Sequence, residues 1–124
     1  MTEVATERMP FKQENSLPKR KRLASKIRQA HPDRVPVIVE RHQKSTNVPD
    51  IAKRKFLAPG DISVAQFVSE IRKHIKLAPD TAIFLFVNGT VLPQSGALMS
   101  QVYEQHKDED GFLYVVYSGE SYFG

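Results

Sequence analysis

The amino-acid sequence predicts an α+β domain, a four-stranded mixed sheet covered on one face by helix, with an N-terminal helical extension. Between Arg34 and Tyr117 the patterns follow in the order strand, strand, helix, strand, short helix, strand. One helix carries a complete apolar stripe, and two connections are long enough to contain helices, so a mixed sheet packed against helix is the natural arrangement. The chain of 124 residues suits one domain with a modest core.

The N-terminal region predicts helices that lie on a surface. Residues 1–10 lack periodicity and are predicted to be a flexible arm. Residues 11–31 are predicted to be helical, with one turn at Phe11 and a longer helix from Ser16 that stops before Pro32, because a residue preceding proline avoids the α region. The longer helix has only a thin apolar stripe, formed by Leu23, Ile27 and Ala30.

Two strands are predicted next. From Arg34 to Arg41, valines alternate onto one face and Ile38 takes the other. Pro36 cannot donate a ladder hydrogen bond, which predicts a local irregularity or an edge at that point. The second strand runs from Lys55 to Ala58 and ends at Pro59-Gly60.

The strongest helix signal follows these strands. Ser63 and Gln66 form a capping box at its start. Its apolar residues recur at helical spacing and are predicted to belong to the core. They are Val64, Phe67, Val68, Ile71 and Ile75.

The last elements are a strand at Ile83–Val87, a short helix around Leu98–Tyr103 and a closing strand at Phe112–Tyr117. Asn88-Gly89 predicts a type I′ turn after the first of them. This order of elements is that of a ubiquitin-like β-grasp domain, which is assigned to residues 32–118. Residues 119–124 are left as a short tail that ends in glycine.

Composition excludes several kinds of chemistry. The chain has no cysteine, so a disulfide, a thiolate metal ligand and a thiol nucleophile are impossible. Its histidines are scattered without metal-ligand spacing, and it contains no phosphate-binding or nucleophile-elbow motif. No apolar run is long enough to span a bilayer. We therefore expect no catalytic residues, no metal and no cofactor.

The net charge is +4, and basic residues concentrate in the N-terminal half. The run from Lys19 to Arg22 is read first as a solvated helix face and second as a patch for an anionic partner. No aromatic residues are interleaved with it to stack on bases, which argues against nucleic acid.

Long blocks of the sequence resemble the autophagy ubiquitin-like modifiers, the family of light chain 3 and GABARAP. The resemblance begins near residue 11 and holds in the same order to the end of the chain. The blocks are 34–40 (RVPVIVE), 53–59 (KRKFLAP), 64–67 (VAQF), 71–73 (IRK), 83–88 (IFLFVN) and 110–120 (DGFLYVVYSGE).

The resemblance implies a non-enzymatic modifier whose terminal glycine, here Gly124, is conjugated to phosphatidylethanolamine. An activating and a conjugating enzyme carry the glycine as a thioester on their own cysteines. Family members often carry residues after the glycine that a cysteine protease removes, and none is present here. The expected protein is cytoplasmic, monomeric when unconjugated, and bound to autophagosomal membranes when lipidated, where it recruits cargo receptors and supports membrane growth.

The resemblance also implies that a partner peptide of the form aromatic-x-x-aliphatic adds as a strand beside the second strand. Its acidic flank would meet Arg34, Lys53 and Lys55, with Arg54 on the same basic edge. The aromatic pocket would consist of Ile27, Pro36, Ile38, Lys55, Leu57 and Phe112. The aliphatic pocket would consist of Phe56, Ala58, Pro59, Ile62, Phe67 and Ile71, although plain core packing explains Phe67 and Ile71 equally well.

Two residues depart from the family pattern, since Glu70 stands where relatives have an aliphatic residue and Ala58 is smaller than the usual valine. If the Glu70 carboxylate reaches the aliphatic pocket, Glu70→Val should tighten binding. Two other functions stay open. One is a β-grasp adaptor that is never conjugated and binds tubulin or receptors through the basic helix, and the other is a basic nucleic-acid-binding domain.

Overall fold

The computed structural model describes residues 9–45 and 47–120, and within them the chain forms four helices and four strands. The helices are α1 (Phe11–Glu14), α2 (Leu17–Ala30), α3 (Val64–Lys73) and α4 (Met99–His106). The strands are β1 (Arg34–Arg41), β2 (Lys55–Pro59), β3 (Phe84–Val87) and β4 (Leu113–Ser118). Each predicted element is present, with ends that differ by at most three residues from the expected ones.

The strands form one mixed sheet in the order β2-β1-β4-β3. The two central strands, β1 and β4, are parallel, and each edge strand is antiparallel to its neighbour. The predicted four-stranded mixed sheet of an α+β domain is therefore confirmed.

Pro36 lies in central strand β1 and breaks no ladder bond. The Val39 N–H donates to the Arg54 carbonyl at 2.8 Å, so in the antiparallel alternation Val35, Val37 and Val39 bond to β2. The nitrogen of Pro36 therefore points toward the β4 side, where pairing begins only at Val37. The proline sits at a local edge, as predicted.

The main core fills the space between one face of the sheet and α3 and α4. Helix α3 begins at Ser63, whose side chain accepts the Gln66 N–H while the Gln66 side chain accepts the Ser63 N–H. Its buried stripe packs on the valines of β1 and on β2 and β4. Of the predicted core residues, Val64, Phe67, Ile71 and Ile75 are buried there, whereas Val68 is half-buried and packs against them.

Helices α1 and α2 cover the opposite face of the sheet, which the expectation of a single covered face did not include. A second apolar cluster there contains Phe11, Ala24, Ile38 and Phe112, with Leu23, Ile27 and Tyr114 packed against it. The predicted stripe of α2 was wrong at its end, because Ala30 is exposed and Ala24 is the buried residue.

A buried carboxylate joins α2 to the start of β4. The side chain of Asp110 is fully buried, and one of its oxygens accepts hydrogen bonds from Arg20 at 2.7 Å and from the Tyr114 hydroxyl at 2.5 Å. Its other oxygen accepts the Phe112 N–H at 2.8 Å. Together these bonds fasten the N-terminal helices to the sheet.

The turn after β3 has the backbone that the sequence predicted. Asn88 and Gly89 have φ angles of 53° and 78°, in the region where asparagine and glycine are the usual residues. The chain returns only as far as a bridge between Val87 and Val91, so no further strand forms.

Candidate functional site

Strand β2 is an edge strand of the sheet, and among the described residues only β1 pairs with it. Because Arg54, Phe56 and Ala58 bond to β1, the backbone groups of Lys55 and Leu57 point outward. An added peptide strand would bond to these two residues. Leu57 is 37% exposed, so its side chain is available for contact with a ligand.

The floor of the predicted aromatic pocket is assembled on the face that carries α2. Ile27, Ile38 and Phe112 belong to or pack against the second apolar cluster. Ile38 and Phe112 are buried, whereas Ile27 is half-buried on the side of α2. These residues come from α2, β1 and the start of β4, and the fold brings them together.

The rim of the same pocket comes from the β1–β2 pair. Leu57 lies opposite Pro36, and Lys55 lies opposite Ile38. Cross-strand partners project to the same face of a sheet, so all four residues face α2. The structure thus places every residue of the predicted aromatic pocket on one surface, between α2 and the open edge of β2.

The predicted aliphatic pocket lies on the other face, between β2 and α3. The rings of Phe56 and Phe67 meet edge to face with centroids 5.8 Å apart. Phe56, Ala58, Phe67 and Ile71 are all buried in the main core, and Ile62 packs against it. Pro59, half-buried, ends β2. Ile71 is fully buried, so a ligand side chain would reach it only if the packing between α3 and β2 opens.

The basic residues of the edge differ in what they contact. Arg34, Lys53 and Lys55 are exposed, and the Lys53 ammonium lies 4.6 Å from the centroid of the Phe56 ring. These two lysines line a surface cleft between α2 and the start of β2, together with Phe11, Glu14, Asn15, Lys19, Leu23, Ala52 and Arg54. The cleft is positively charged and suits an acidic segment.

Arg54 does not belong to this free basic edge, contrary to expectation. Its guanidinium pairs with Glu14 and Glu40 and donates to the Met9 carbonyl at 2.7 Å. The Phe11 N–H also donates to Glu40, at 2.9 Å. The charge of Arg54 therefore holds α1 against the sheet.

The two residues that depart from the family pattern, Ala58 and Glu70, lie in different environments. Ala58 is buried in the main core on β2. Glu70 is exposed on α3 and forms an ion pair with Lys73 at 3.1 Å, one turn further along the helix. The carboxylate is thus paired at the surface and not buried in the aliphatic pocket.

Residues 9–45 and 47–120 contain no group of three or more metal-binding side chains. Within the same residues no helix is long and apolar enough to cross a membrane. The most perturbed titratable group is Tyr114, where burial and then the hydrogen bond to Asp110 raise the pKa far above its ordinary value. That tyrosine is packed between α1 and the sheet and serves the fold.

Gly124, the predicted conjugation residue, lies outside the described residues, as do residues 121–123. Strand β4 ends at Ser118 and the described chain continues to Glu120. Sequence reasoning missed one feature here, the side chains of Ser45 and Asn47 that contact the backbone of Gly119. They lie more than 70 residues away in sequence, so no local pattern signals them.

Comparison with known proteins gives a consistent result. The family model described as "Autophagy protein Atg8 ubiquitin like" matches residues 19–124. Autophagy-related protein 8 of Mycosarcoma maydis is 59% identical, covering 94% of this chain and 98% of that protein. Autophagy-related protein 8d of Arabidopsis thaliana is 57% identical over 92% of this chain and 93% of its own length. Autophagy-related protein 8 of Neosartorya fischeri is 56% identical over 94% of this chain and 98% of its own.

Proposed function

The chain belongs to the Atg8 family of ubiquitin-like autophagy proteins, and from that premise we propose that it is conjugated through Gly124 to phosphatidylethanolamine. It is an Atg8-type modifier of autophagy rather than an enzyme. We propose two activities for it in particular, conjugation to lipid and recruitment of cargo receptors. The open edge of β2 beside the apolar surface under α2 is the structural observation that supports the second of them.

The proposed conjugation proceeds in balanced steps. The Gly124 carboxylate attacks ATP to give an acyl-adenylate and pyrophosphate. A cysteine thiolate of the activating enzyme displaces AMP to form a thioester, and the acyl group then passes to a cysteine of the conjugating enzyme. The lipid amine finally displaces that thiol and forms an amide. Because this chain has no cysteine, each thioester sulfur must come from a partner enzyme.

The chemistry of the product explains how the protein would reach a membrane. The described residues contain no membrane-spanning helix. Attachment to a diacyl lipid buries enough apolar chain to hold a protein stably at a bilayer. The proposed locations are accordingly the cytoplasm before conjugation and the autophagosomal membrane after it. A cysteine protease would reverse the process by cleaving the amide.

Peptide docking is proposed to follow β-augmentation. Backbone groups of Lys55 and Leu57 would bond to the added strand, while its aromatic side chain enters between α2 and β2. The aliphatic side chain would enter between β2 and α3, with separation of those elements. Lys53 and Arg34 would face the acidic flank of the peptide.

One experiment tests the proposed conjugation directly. The chain is incubated with the activating and conjugating enzymes, ATP and liposomes containing phosphatidylethanolamine. The mass of the product and the site of its modification are then determined by mass spectrometry. A single lipid adduct on Gly124 is expected. An adduct on a lysine, or no adduct, would overturn the proposal. Under the alternative of an unconjugated adaptor that uses the basic face of α2, Gly124→Ala would leave the protein's behaviour in cells unchanged.

A further inference from the structure

The sheet ends before the tail begins. The last backbone bond on the β1 side of β4 runs from the His42 N–H to the Tyr117 carbonyl at 2.8 Å. Ser118 pairs with Phe84 on the other side, and β1 itself stops at Arg41. Among the described residues no strand lies beside Gly119. Its backbone groups would need water or another partner to be satisfied.

Two side chains from the loop between β1 and β2 supply that partner. The Gly119 N–H donates to the Ser45 hydroxyl oxygen at 3.2 Å, and the same hydroxyl donates to the Asn47 side-chain oxygen at 3.3 Å. The Asn47 amide nitrogen donates to the Gly119 carbonyl at 3.4 Å. The three residues therefore form a closed ring of hydrogen bonds, which uses both backbone groups of Gly119 and continues the ladder by one residue.

Glycine is the residue that this arrangement accepts. A β-carbon placed on Gly119 would overlap the Asn47 side chain, whose amide nitrogen would lie 2.6 Å from it. The side chain of Asn47 thus lies directly against the α-carbon of Gly119. A residue with a side chain would have to displace Asn47 and break the ring.

The loop that carries these two side chains is itself anchored to the core. Val48 and Ile51 are buried in the main cluster. The Tyr117 hydroxyl donates to the Pro49 carbonyl at 2.7 Å, and the Arg41 guanidinium donates to the Val48 carbonyl at 3.2 Å. Because Ser45 is buried next to this anchored segment, its hydrogen bond to Gly119 comes from a loop that is packed on the core.

We propose that Ser45 and Asn47 form a clamp that sets the direction in which the C-terminal tail leaves the domain, and that both are positioning residues for activation of Gly124. This inference rests on the proposed conjugation. Gly124 follows Gly119 by five residues, which span roughly 17 Å when extended at about 3.4 Å per residue. A fixed position for Gly119 removes part of the ordering cost that the activating enzyme would otherwise meet when it binds the end of the chain.

The test measures thioester formation on the activating enzyme with ATP as the concentration of this chain is varied. We expect Asn47→Ala, isosteric Asn47→Asp and Ser45→Ala each to lower kcat/KM by roughly tenfold, the size expected when the backbone of one residue is released. The fall in kcat/KM should come from a higher KM with kcat unchanged, because the terminal glycine reacts normally once it is bound. Gln43→Ala, an exposed change in the same loop, is the matched control and should react like the wild type.

Two further measurements separate positioning from a loss of stability. Amide hydrogen exchange at Gly119 should accelerate in the clamp variants while exchange in β1 and β4 stays slow. The combined Ser45→Ala, Asn47→Ala chain should be no worse than either single variant, because all of them break the same ring. Multiplying losses would show that the residues act independently and would overturn the clamp.

The outcomes distinguish this inference from the proposed function. If the wild-type chain forms no thioester, both the proposed conjugation and the role of the clamp in activation are overturned. If the wild type reacts and the clamp variants react equally fast or faster, only the clamp is overturned. A fall in kcat at unchanged KM would also overturn it.

Discussion

The guanidinium of Arg20 on α2 lies 2.7 Å from the carboxylate of Asp110, and these two residues are 90 positions apart in the chain. The carboxylate is fully buried and the guanidinium is nearly so. Since Asp110 also binds the Phe112 N–H and the Tyr114 hydroxyl, Arg20 completes a satisfied polar network beneath the N-terminal helices.

Removing one partner of this pair should therefore be costly. We expect Arg20→Ala to lower the free energy of unfolding by about 3–5 kcal/mol, because it leaves a buried carboxylate without its cation. The exposed Arg22→Ala on the same helix is the control and should change it by less than about 0.5 kcal/mol. Urea unfolding followed by circular dichroism measures both. Equal effects of the two substitutions would show that the pair contributes nothing specific.

Asp108, two residues before Asp110, should make the free energy of unfolding depend on pH in the acid range. Burial alone would raise the pKa of Asp108, but hydrogen bonds from Lys12 and the Asp110 N–H, with the charges of Lys12 and Arg20, lower the pKa below its ordinary value of 3.8. A lowered folded-state pKa gives stability that is complete above the unfolded-state pKa. This stability is lost as the pH falls through the folded-state value.

Asp108→Asn isolates that effect because the amide does not titrate. The wild type should exceed this variant in free energy of unfolding at about pH 6, and the difference should shrink at about pH 3. A difference that is the same at both pH values would mean that Asp108 does not titrate with a lowered pKa.

The open edge of β2 predicts an anchor residue for peptide binding. Leu57→Ala should weaken an aromatic-x-x-aliphatic peptide with an acidic flank by about 2 kcal/mol, or roughly 30-fold, because a central contact is truncated. Leu92→Ala, an exposed leucine beyond the opposite edge strand, should leave the affinity unchanged. Calorimetry measures the peptide affinity of both variants, after circular dichroism has shown that each is folded. Wild-type affinity for Leu57→Ala would place the peptide elsewhere.

Lys53 is exposed, whereas Arg54 pairs with two carboxylates. Replacing Lys53 should therefore weaken peptide binding, and replacing Arg54 should lower the stability of the fold. Lys53→Ala should weaken the same peptide by about 0.5 kcal/mol and reduce the salt dependence of its on-rate, because an exposed charge mainly steers association. Arg54→Ala should instead lower the free energy of unfolding by about 2 kcal/mol, since charged hydrogen bonds to Glu14 and Glu40 are lost. Stopped-flow kinetics and urea unfolding separate the two. A purely kinetic effect of Arg54→Ala would contradict the assignment.

The surface position of Glu70 predicts little change in peptide affinity on Glu70→Val, where the sequence alone led us to expect tighter binding. Because its carboxylate is paired with Lys73 at the surface, Glu70→Val removes an exposed pair worth about 0.3 kcal/mol and leaves the buried pocket unchanged. We expect peptide affinity within about twofold of the wild type at low and high salt. A clear gain in affinity would show that the carboxylate turns into the pocket when peptide binds.

The elements of the fold could be predicted because their signals are local. The capping box of Ser63 and Gln66, the alternating valines of β1 and the Asn88-Gly89 turn each act within a few residues, and each appears where expected. The residues assigned to the pockets by resemblance lie on these elements, and their role in peptide binding stays a prediction.

Long-range polar pairs could not be predicted in this way. Nothing in the sequence around residues 108–110 shows that Asp110 is buried against Arg20. Arg54 stands between two exposed lysines and looks like them until the fold brings Glu14 and Glu40 to it. Partner choice among charges depends on tertiary distance, which local patterns do not contain.

An open strand edge that accepts a peptide could equally accept a second copy of the same protein, and stacking of such edges is a common route to aggregation. Strand β2 is only five residues long and ends in Pro59, which has no N–H to donate. It also begins with Lys55, next to exposed Lys53. Two copies of this edge carry the same positive charge, which opposes their association, whereas an acidic peptide neutralises it. The lysines thus let the edge distinguish an acidic ligand from a copy of itself.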